Sequence, residues 1–243
     1  MIVHDVAQGT SKWMALRAGI PTASCFDKII TPGGKKSESA AKYMAHLLAE
    51  RILGRPIDGF KSAAMENGTE NEDSAIAAYE MENDCETYRI GFVTTDDGRI
   101  GCSPDRGIVG DPRTLVEAKS PDSPAVMVSY LLSSVGASKE YKCQLQGQLW
   151  VCEKDQVDIV AYSAGFPKVI FRATRDEVFI KEMAAHVRAF SCQLEEKAAD
   201  FAERGWIKPP SDTPDEEYDG LGVSEADLRQ MYPNFFPGET NVN

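Results

Sequence analysis

The chain of 243 residues has no long hydrophobic run and few residues of the types that form histidine or cysteine metal sites. No apolar stretch approaches the ~18 residues of a membrane span, and the amino terminus has no signal-peptide pattern. The three histidines are dispersed, and the six cysteines lack the C-x-x-C spacing of a zinc knuckle and indicate no disulfide framework. We therefore expect a cytoplasmic protein with no membrane contact and with reduced thiols.

Positive charge is also scarce, since the formal net charge is −12 at pH 7. Such a balance argues against broad, non-specific binding to DNA. The charge is uneven, because residues 211–243 carry eight acids against Arg229, whereas residues 12–36 have a net charge of +4. We expect one domain over residues 1–210 and an acidic, flexible tail over residues 211–243. An enclosed basic channel on the body is compatible with this distribution.

One pair of segments has the residue types of a metal-dependent nuclease site. The run Cys102-Ser103-Pro104-Asp105 is followed, twelve positions after its aspartate, by Glu117-Ala118-Lys119. Turn and alternation signals predict strands over residues 99–103 and 115–119, with a loop over residues 107–113 between them.

Alternation along the second predicted strand puts Glu117 and Lys119 on one face, so Asp105 and Glu117 can share a divalent cation beside Lys119. Hard oxygen ligands, including the carbonyl of Ala118, suit Mg²⁺, which activates a water and neutralises charge at phosphorus. We expect Mg²⁺, with a second ion ~4 Å from the first and Mn²⁺ as a substitute. The alternative is an ordinary Pro-Asp turn and an ordinary exposed Glu-x-Lys strand.

A third carboxylate, Glu72, has two interpretations. The pattern predicts a helix over residues 69–82, in which Glu72 shares an inward face with Ala75, Ile76 and Tyr79. A carboxylate on such a face needs a partner, and the metal held by the other two acids would supply one. Alternatively, Thr69-x-x-Glu72 is a capping box, which requires no metal.

The amino-terminal part contains candidate phosphate ligands. Residues 11–18 predict a short helix closed by Gly19, and a second helix begins near Thr22. Arg17 and Ser24 then suit a terminal phosphate, or they are a solvated side chain and an ordinary cap. Lys35 and Lys36 lie on a predicted mobile loop that either grips a DNA backbone or is solvated.

Helix and strand patterns alternate along the rest of the chain, which predicts an α/β fold. Helices are predicted over residues 39–53, 124–132, 138–152 and 175–204, and strands over residues 87–94, 157–162 and 168–173. The helix over residues 138–152 is dense in glutamine, and these side chains either bind a phosphate or the attacking water or lie on the surface.

Taken together, the motifs resemble a known family. The run Trp13-x-x-Leu16-Arg17-x-Gly19-Ile20-x-Thr22-Ala23-Ser24 comes first, and Glu72, the two central motifs and Gln144-x-Gln146 follow in order. This set resembles the phage lambda exonuclease, or YqaJ-type viral recombinase, family of the PD-(D/E)xK nuclease superfamily. The resemblance covers roughly residues 8–165, and the Leu-Arg-x-Gly-Ile-x-Thr-Ala-Ser run makes it specific to the family.

The resemblance implies a restriction-endonuclease-like core with a central mixed β-sheet flanked by helices. It also implies a 5′→3′ exonuclease on linear double-stranded DNA that releases 5′-mononucleotides and leaves a 3′ single strand for an annealing protein. Members form toroidal homotrimers around DNA. The implied roles are metal ligands (Asp105, Glu117, Ala118 and Glu72), a catalytic lysine (Lys119), a helper (Gln146), 5′-phosphate ligands (Arg17 and Ser24) and DNA contacts (Lys35 and Lys36, on a loop that looks shorter than the lambda enzyme's).

Two other functions are open at this point. A structure- or sequence-specific endonuclease of the same superfamily would keep the acids and the lysine but would need no end-phosphate pocket. A non-catalytic adaptor for DNA ends or for the annealing protein would use the acidic tail instead.

Overall fold

The computed structural model describes residues 1–57, 63–121, 123–133 and 136–207, without the side chains of residues 63–71 and 137. Residues Met1–Ile207 form one compact unit. The acidic segment 211–243 and the expected boundary at residue 210 lie outside the described residues, so both stay predictions.

The described chain contains eight strands, seven α-helices and one 3₁₀ helix. The strands are β1 (Ile2–His4), β2 (Thr87–Arg89), β3 (Phe92–Thr94), β4 (Gly101–Cys102), β5 (Arg106–Ile108), β6 (Asp111–Lys119), β7 (Gln156–Ala161) and β8 (Val169–Thr174). The α-helices are α1 (Ser11–Arg17), α2 (Ala40–Leu53), α3 (Ala63–Asn83), α4 (Pro124–Leu132), α5 (Gly136–Glu140), α6 (Lys142–Val151) and α7 (Glu177–Glu203), and the 3₁₀ helix is Ala23–Lys28.

A five-stranded mixed sheet in the order β2-β5-β6-β7-β8 forms the centre of the molecule. β6 and β7 are parallel, and the other neighbouring strands are antiparallel. This arrangement confirms the predicted α/β fold with a mixed sheet. The predicted loop over residues 107–113 is wrong, because most of it belongs to β5 and to the start of β6.

A smaller antiparallel sheet has the order β1-β3-β4. The predicted single strand over residues 87–94 is divided between the two sheets, since β2 pairs with β5 and β3 pairs with β4. Gly91 lies at the division, where a Cβ atom would collide with the carbonyls of His4 and Val6. The close approach of these backbones therefore requires glycine at this position.

Helices cover both faces of the central sheet. α3 packs Ala75, Ile76 and Tyr79 against Val116 and Val160 on one face. The other face carries the larger core, to which α2, α6, α7 and the 3₁₀ helix contribute. The two faces of β6 thus meet different layers, and its odd-numbered residues Glu117 and Lys119 lie on the side of α6. Within the described part, no helix is long and apolar enough to cross a membrane.

Two predicted helices differ in their limits. α3 begins at Ala63, six residues before the expected start at Thr69, so Glu72 lies inside the helix and the capping box is wrong. The predicted helix over residues 138–152 is broken into α5 and α6 near Tyr141. By contrast, α4 begins as expected, with Ser123 accepting a hydrogen bond from the Val126 N–H and with Pro124 at the first helical position.

Candidate active site

The two central motifs meet where the start of β5 lies beside the end of β6. Asp105 directly precedes β5, and its Oδ2 accepts a hydrogen bond of 2.8 Å from the backbone N–H of Ala118 in β6. On the same strand, the Lys119 ammonium lies 2.8 Å from Oε1 of Glu117. The alternation that places Glu117 and Lys119 on one face is therefore confirmed, and Asp105 lies beside them.

The carbonyl of Ala118 points away from β6 toward the side on which Asp105 lies. In an extended strand, the N–H and C=O of one residue point toward the same neighbour, as the exchanged bonds of antiparallel pairs show. The register that pairs Arg106 with Val116 would place Pro104 opposite Ala118. Because proline has no N–H, it cannot donate a ladder hydrogen bond to this carbonyl. The carbonyl of Ala118 thus has no ladder donor at this position and can serve as a ligand.

Burial and like charge shape the electrostatics of the cluster. Burial first, then the charge of Glu117 and more weakly that of Glu72, raise the pKa of Asp105 well above its ordinary range, although Lys119 opposes the shift. Burial opposes the charge of Lys119, but the carboxylates of Glu117 and Asp105 raise its pKa above the usual value. Lys119 is therefore a cation that compensates the carboxylates rather than a neutral base.

Two glutamines of α6 hold the carboxylate of Glu117. Gln144 donates to Oε1 at 2.5 Å and also accepts a hydrogen bond from Lys119 at 3.3 Å, and Gln148 donates to Oε2 at 2.8 Å. Both carboxylate oxygens thus accept amide hydrogens. Glu117 is buried, with 2% of its surface exposed, so these donors replace the water that it has lost.

The structure does not bring Gln146 to this cluster. Its amide donates to the carbonyl of Thr174 and accepts from the N–H of Asp176, both at 2.8 Å, so it joins the end of β8 to the start of α7. The expected helper role is corrected accordingly. Residues four apart share a helix face and residues two apart do not, so helical spacing alone favours Gln144 with Gln148.

Glu72 lies near the cluster but has a different partner. Its Oε1 accepts a hydrogen bond of 2.8 Å from Arg106, the first residue of β5, and Arg106 also contacts Asp73 at 3.0 Å. The pattern correctly placed Glu72 on the side of α3 that faces the sheet. Arg106, which is 5% exposed, is a partner of Glu72 that the sequence pattern did not identify.

The donor set fits a hard divalent cation. In the described residues, no group of three or more His, Cys, Asp and Glu side chains is arranged to hold a metal. The available donors are the carboxylates of Asp105 and Glu117 and the carbonyl of Ala118, all of which are oxygens. Glu117 is buried and Asp105 is half-buried, and a cation bound between these two carboxylates would relieve their mutual repulsion.

A second group of residues lies directly beside the carboxylates. Arg17 of α1 donates to Oγ of Ser103 at 3.3 Å, and Trp13 donates to the same oxygen through Nε1 at 2.9 Å. The Arg17 guanidinium lies 4.2 Å from the centroid of the Trp13 ring. Burial lowers the pKa of Arg17 from its usual value, and among the described residues no carboxylate lies within ion-pair distance of it. This cation is therefore available to an anion.

Arg17 lines a cavity of about 150 Å³ together with Thr22, Cys25 and Tyr43. Ser24 is exposed at the start of the 3₁₀ helix and is not part of the lining, although its hydroxyl lies 3.4 Å from that of Thr22. The expected second α-helix is thus a 3₁₀ helix of six residues. Arg17 and Ser24, the two expected phosphate ligands, are therefore linked indirectly, through Thr22, which lines the cavity.

Glu50 of α2 is a residue of this region that the sequence did not reveal. It is buried, and its carboxylate accepts hydrogen bonds from the N–H groups of Gly19 at 2.8 Å and of Ile57 at 3.3 Å. Arg51 donates to the carbonyl of Gly19 at 2.7 Å. The end of α2 therefore fixes the turn that follows Arg17.

Lys35 and Lys36 lie on a closed turn. The segment closes through a bridge between Ile30 and Lys36 and a hydrogen bond of 2.7 Å from the Thr31 N–H to the Lys35 carbonyl. Both side chains are exposed, and no contact in the described part joins them to the carboxylates. Their role at DNA stays a prediction.

A mixed sheet that brings a Pro-Asp and a Glu-x-Lys segment together, with an arginine pocket next to them, defines a nuclease of the PD-(D/E)xK class. The chain belongs to the YqaJ-like viral recombinase domain family, whose profile matches residues 12–155. The expected kinship with lambda-type exonucleases is confirmed.

Solved structures support the same assignment. An alkaline exonuclease from Laribacter hongkongensis has a TM-score of 0.71 and 28% sequence identity, over 81% of this chain and 98% of that chain, both alone and in complex with dAMP. A phage-related exonuclease from Haemophilus somnus 129PT shares the fold, with a TM-score of 0.59 and 16% identity over 75% of this chain and 96% of that chain. No curated protein matches the chain.

Proposed function

We propose that this protein is a Mg²⁺-dependent 5′→3′ exonuclease on linear double-stranded DNA that releases 5′-mononucleotides. The contact that carries the proposal is Oγ of Ser103, which binds both Trp13 and Arg17 only two residues before Asp105. Two residues of extended chain span at most about 7 Å, which is short on the scale of a DNA strand that advances about 3.4 Å along the helix axis with each nucleotide. A 5′-phosphate on Arg17 would therefore hold the first phosphodiesters near the carboxylates.

Each side chain has a role that follows from its surroundings. Asp105, Glu117 and the Ala118 carbonyl would hold Mg²⁺, which when bound supplies an activated water and neutralises charge at the phosphorus. Lys119, whose pKa is raised, stabilises the negative charge that develops on the phosphate oxygens. Arg17 binds the terminal phosphate, and Trp13 offers a flat face beside it. The 28%-identical relative solved with dAMP, a nucleoside monophosphate, supports a product of this size.

The remaining features of the proposal come from the family. We infer that the protein acts as a homotrimer around DNA, in the cytoplasm, and that the 3′ strand passes to a single-strand annealing protein. Mn²⁺ would substitute for Mg²⁺, because both take oxygen ligands. Glu72 would act as a further ligand only after leaving Arg106.

The test is a time course on end-labelled linear duplex and on closed circular duplex, with Mg²⁺ and with EDTA. The proposal requires mononucleotide release from 5′ ends of linear DNA only, and only with Mg²⁺. Cleavage of both substrates would indicate an endonuclease, and cleavage of neither would indicate an adaptor.

Two variants connect this activity to the site. Asp105→Ala and Lys119→Ala should each abolish cleavage while the protein stays folded, whereas Glu196→Ala, at an exposed position of α7, should cleave normally. Normal cleavage by either site variant would place the catalytic centre elsewhere.

A further inference from the structure

Gln148 is a polar residue at a position that otherwise belongs to the core. Its side chain is 1% exposed and is among the largest fully buried side chains of the described residues. The neighbouring α6 residues Leu145 and Leu149 are equally buried and apolar. An apolar side chain of similar size would satisfy packing here without any polar group to pair.

The amide of Gln148 is only half paired. Its Nε2 donates to Glu117, but its buried Oε1 has no hydrogen-bond partner in the described part of the structure. Turning the amide over would place this oxygen against the carboxylate of Glu117, which is repulsive because both groups are acceptors. The observed orientation therefore follows from chemistry, and it leaves an unpaired carbonyl that is unfavourable for stability.

The hydrogen bonds to Glu117 show which acceptor positions of its carboxylate are occupied. A carboxylate has about four acceptor positions on its two oxygens. Lys119 and Gln144 occupy Oε1, and Gln148 occupies one position on Oε2. One position on Oε2 is left for a cation. Because an amide has no charge, Gln148 holds this oxygen without cancelling the negative charge that attracts a metal.

We propose that Gln148 is a positioning residue that fixes the Glu117 carboxylate in its metal-binding orientation. This role rests on the metal-dependent function proposed above and concerns a residue that does not itself touch metal or DNA. Gln144 contacts Lys119 as well, so it is shared between two groups, whereas the donor of Gln148 serves Glu117 alone. Outer groups of this kind orient metal ligands, and their loss typically weakens metal affinity about 10- to 100-fold.

The experiment measures Mn²⁺ binding to the full chain without DNA, by isothermal titration calorimetry, and thermal unfolding in EDTA. Gln148→Met keeps the length of the side chain and removes the donor, and Gln148→Leu provides a second shape. We expect Mn²⁺ affinity to fall about 10- to 100-fold in both variants, and their nuclease activity to require correspondingly more Mg²⁺.

Gln146→Met is the matched control on the same helix. It unpairs the carbonyl of Thr174 and the N–H of Asp176, so it should lower the unfolding temperature more than Gln148→Met does. Its Mn²⁺ affinity should equal that of the unaltered protein. The two glutamines thus separate a structural role from a metal-positioning role.

Each other outcome overturns a specific statement. Unchanged Mn²⁺ affinity in folded Gln148→Met overturns the positioning role, and so does failure of both Gln148 variants to fold in EDTA, which would make the residue structural. If the unaltered protein binds no Mn²⁺, the metal site and the role of Gln148 fail together. If it binds Mn²⁺ but releases no mononucleotides, only the proposed reaction fails.

Discussion

Asp105 and Glu117 illustrate how a site can be unfavourable for the protein that contains it. Half-buried Asp105 lies beside buried Glu117, and the loss of water together with the charge of Glu117 raises the pKa of Asp105. Such an arrangement is typical of functional sites, because a stable core would avoid unpaired like charges. The free energy that this repulsion costs is recovered when a cation binds.

The raised pKa predicts an unusual pH dependence of the metal-free protein. The unfolded chain releases the Asp105 proton near the ordinary value of about 3.9, whereas the folded chain retains it to a higher pH. Between these two values the folded state binds more protons, so stability falls as the pH rises. Asp105→Asn keeps an acceptor for the Ala118 N–H but removes this charge. In EDTA at neutral pH, we expect the variant to unfold at a higher temperature than the unaltered protein.

A series of thermal unfolding curves at different pH values checks this prediction. As the pH falls from the folded pKa toward the unfolded value of about 3.9, the two proteins should approach each other in stability, and below that value Asp105 is neutral in both the folded and the unfolded state. An Asn variant that is less stable than the unaltered protein at every pH would contradict the assigned electrostatics.

Arg17 carries a second prediction at the scale of single residues. A hydrogen bond to a charged group contributes about 1.5–3 kcal/mol, so Arg17→Ala should reduce the preference for 5′-phosphorylated over 5′-hydroxyl ends about 10- to 100-fold. Rates of digestion on the two duplexes give the preference directly. Arg99→Ala, which removes an exposed arginine from another part of the surface, is the control. Equal loss on both substrates would argue against the phosphate pocket.

At the scale of elements, the end of α2 determines where Arg17 lies. Glu50 accepts the N–H of Gly19, which has a φ of +70°, and Arg51 binds the Gly19 carbonyl. Glycine is required here both for this φ and because a Cβ atom would lie 2.5 Å from Cγ of Arg51. The turn after α1 is thus held from both sides by one turn of another helix.

Glu50→Ala should therefore affect both stability and end recognition. Leaving the buried N–H of Gly19 unpaired costs about 1–3 kcal/mol, and each kcal/mol lowers Tm by about 2–4 °C in a domain of this size. We also expect a smaller preference for 5′-phosphorylated ends, because Arg17 loses its fixed position. Differential scanning calorimetry and the two-substrate assay measure these effects, with Glu196→Ala as the control. A variant with reduced Tm and full end preference would show that the turn does not position Arg17.

Local patterns in the sequence predict the elements that local interactions determine. The alternation of β6 and the start of α4 at Ser123 depend on neighbouring residues, and both are found as expected. The sequence predicts no strand at β5 because Gly107 has low strand propensity, yet the absence of a side chain at Gly107 admits the ring of Tyr88 from the adjacent strand. That contact is between distant parts of the chain, so no local signal reveals it.

The candidate site shows the same division between local and distant information. Asp105, Glu117 and Lys119 were identified from motif spacing, and the structure brings them together. The resemblance implies Gln146 as the helper, whereas helical periodicity puts Gln144 and Gln148 on the face that contacts Glu117. The pairing of Glu72 with Arg106 was not predictable, since it depends on where α3 lies against β5.

At the scale of the whole molecule, the net charge of −12 limits how the protein keeps hold of DNA. Long-range attraction of an acidic protein to phosphates is weak and is screened further by salt. Enclosure of the duplex by several subunits would retain it without such attraction, which agrees with the proposed ring.

We expect sedimentation of the purified protein to give three times the mass of one 26.7 kDa chain. Processivity on long duplex should then change little with ionic strength, because enclosure does not depend on charge, whereas initial binding should weaken. A monomeric protein with full processivity would contradict the ring.

The ion pair between Arg106 and Glu72 has a consequence for metal stoichiometry. With Glu72 neutralised, the formal charge of the centre comes from Asp105, Glu117 and Lys119, which together leave a single negative charge. One divalent cation turns this into a single positive charge, and the phosphodiester to be cut cancels it. Calorimetry without DNA should accordingly count one tightly bound Mn²⁺ per subunit, and Arg106→Ala, which leaves Glu72 with only the 4.0 Å ion pair to Arg89, should allow a second.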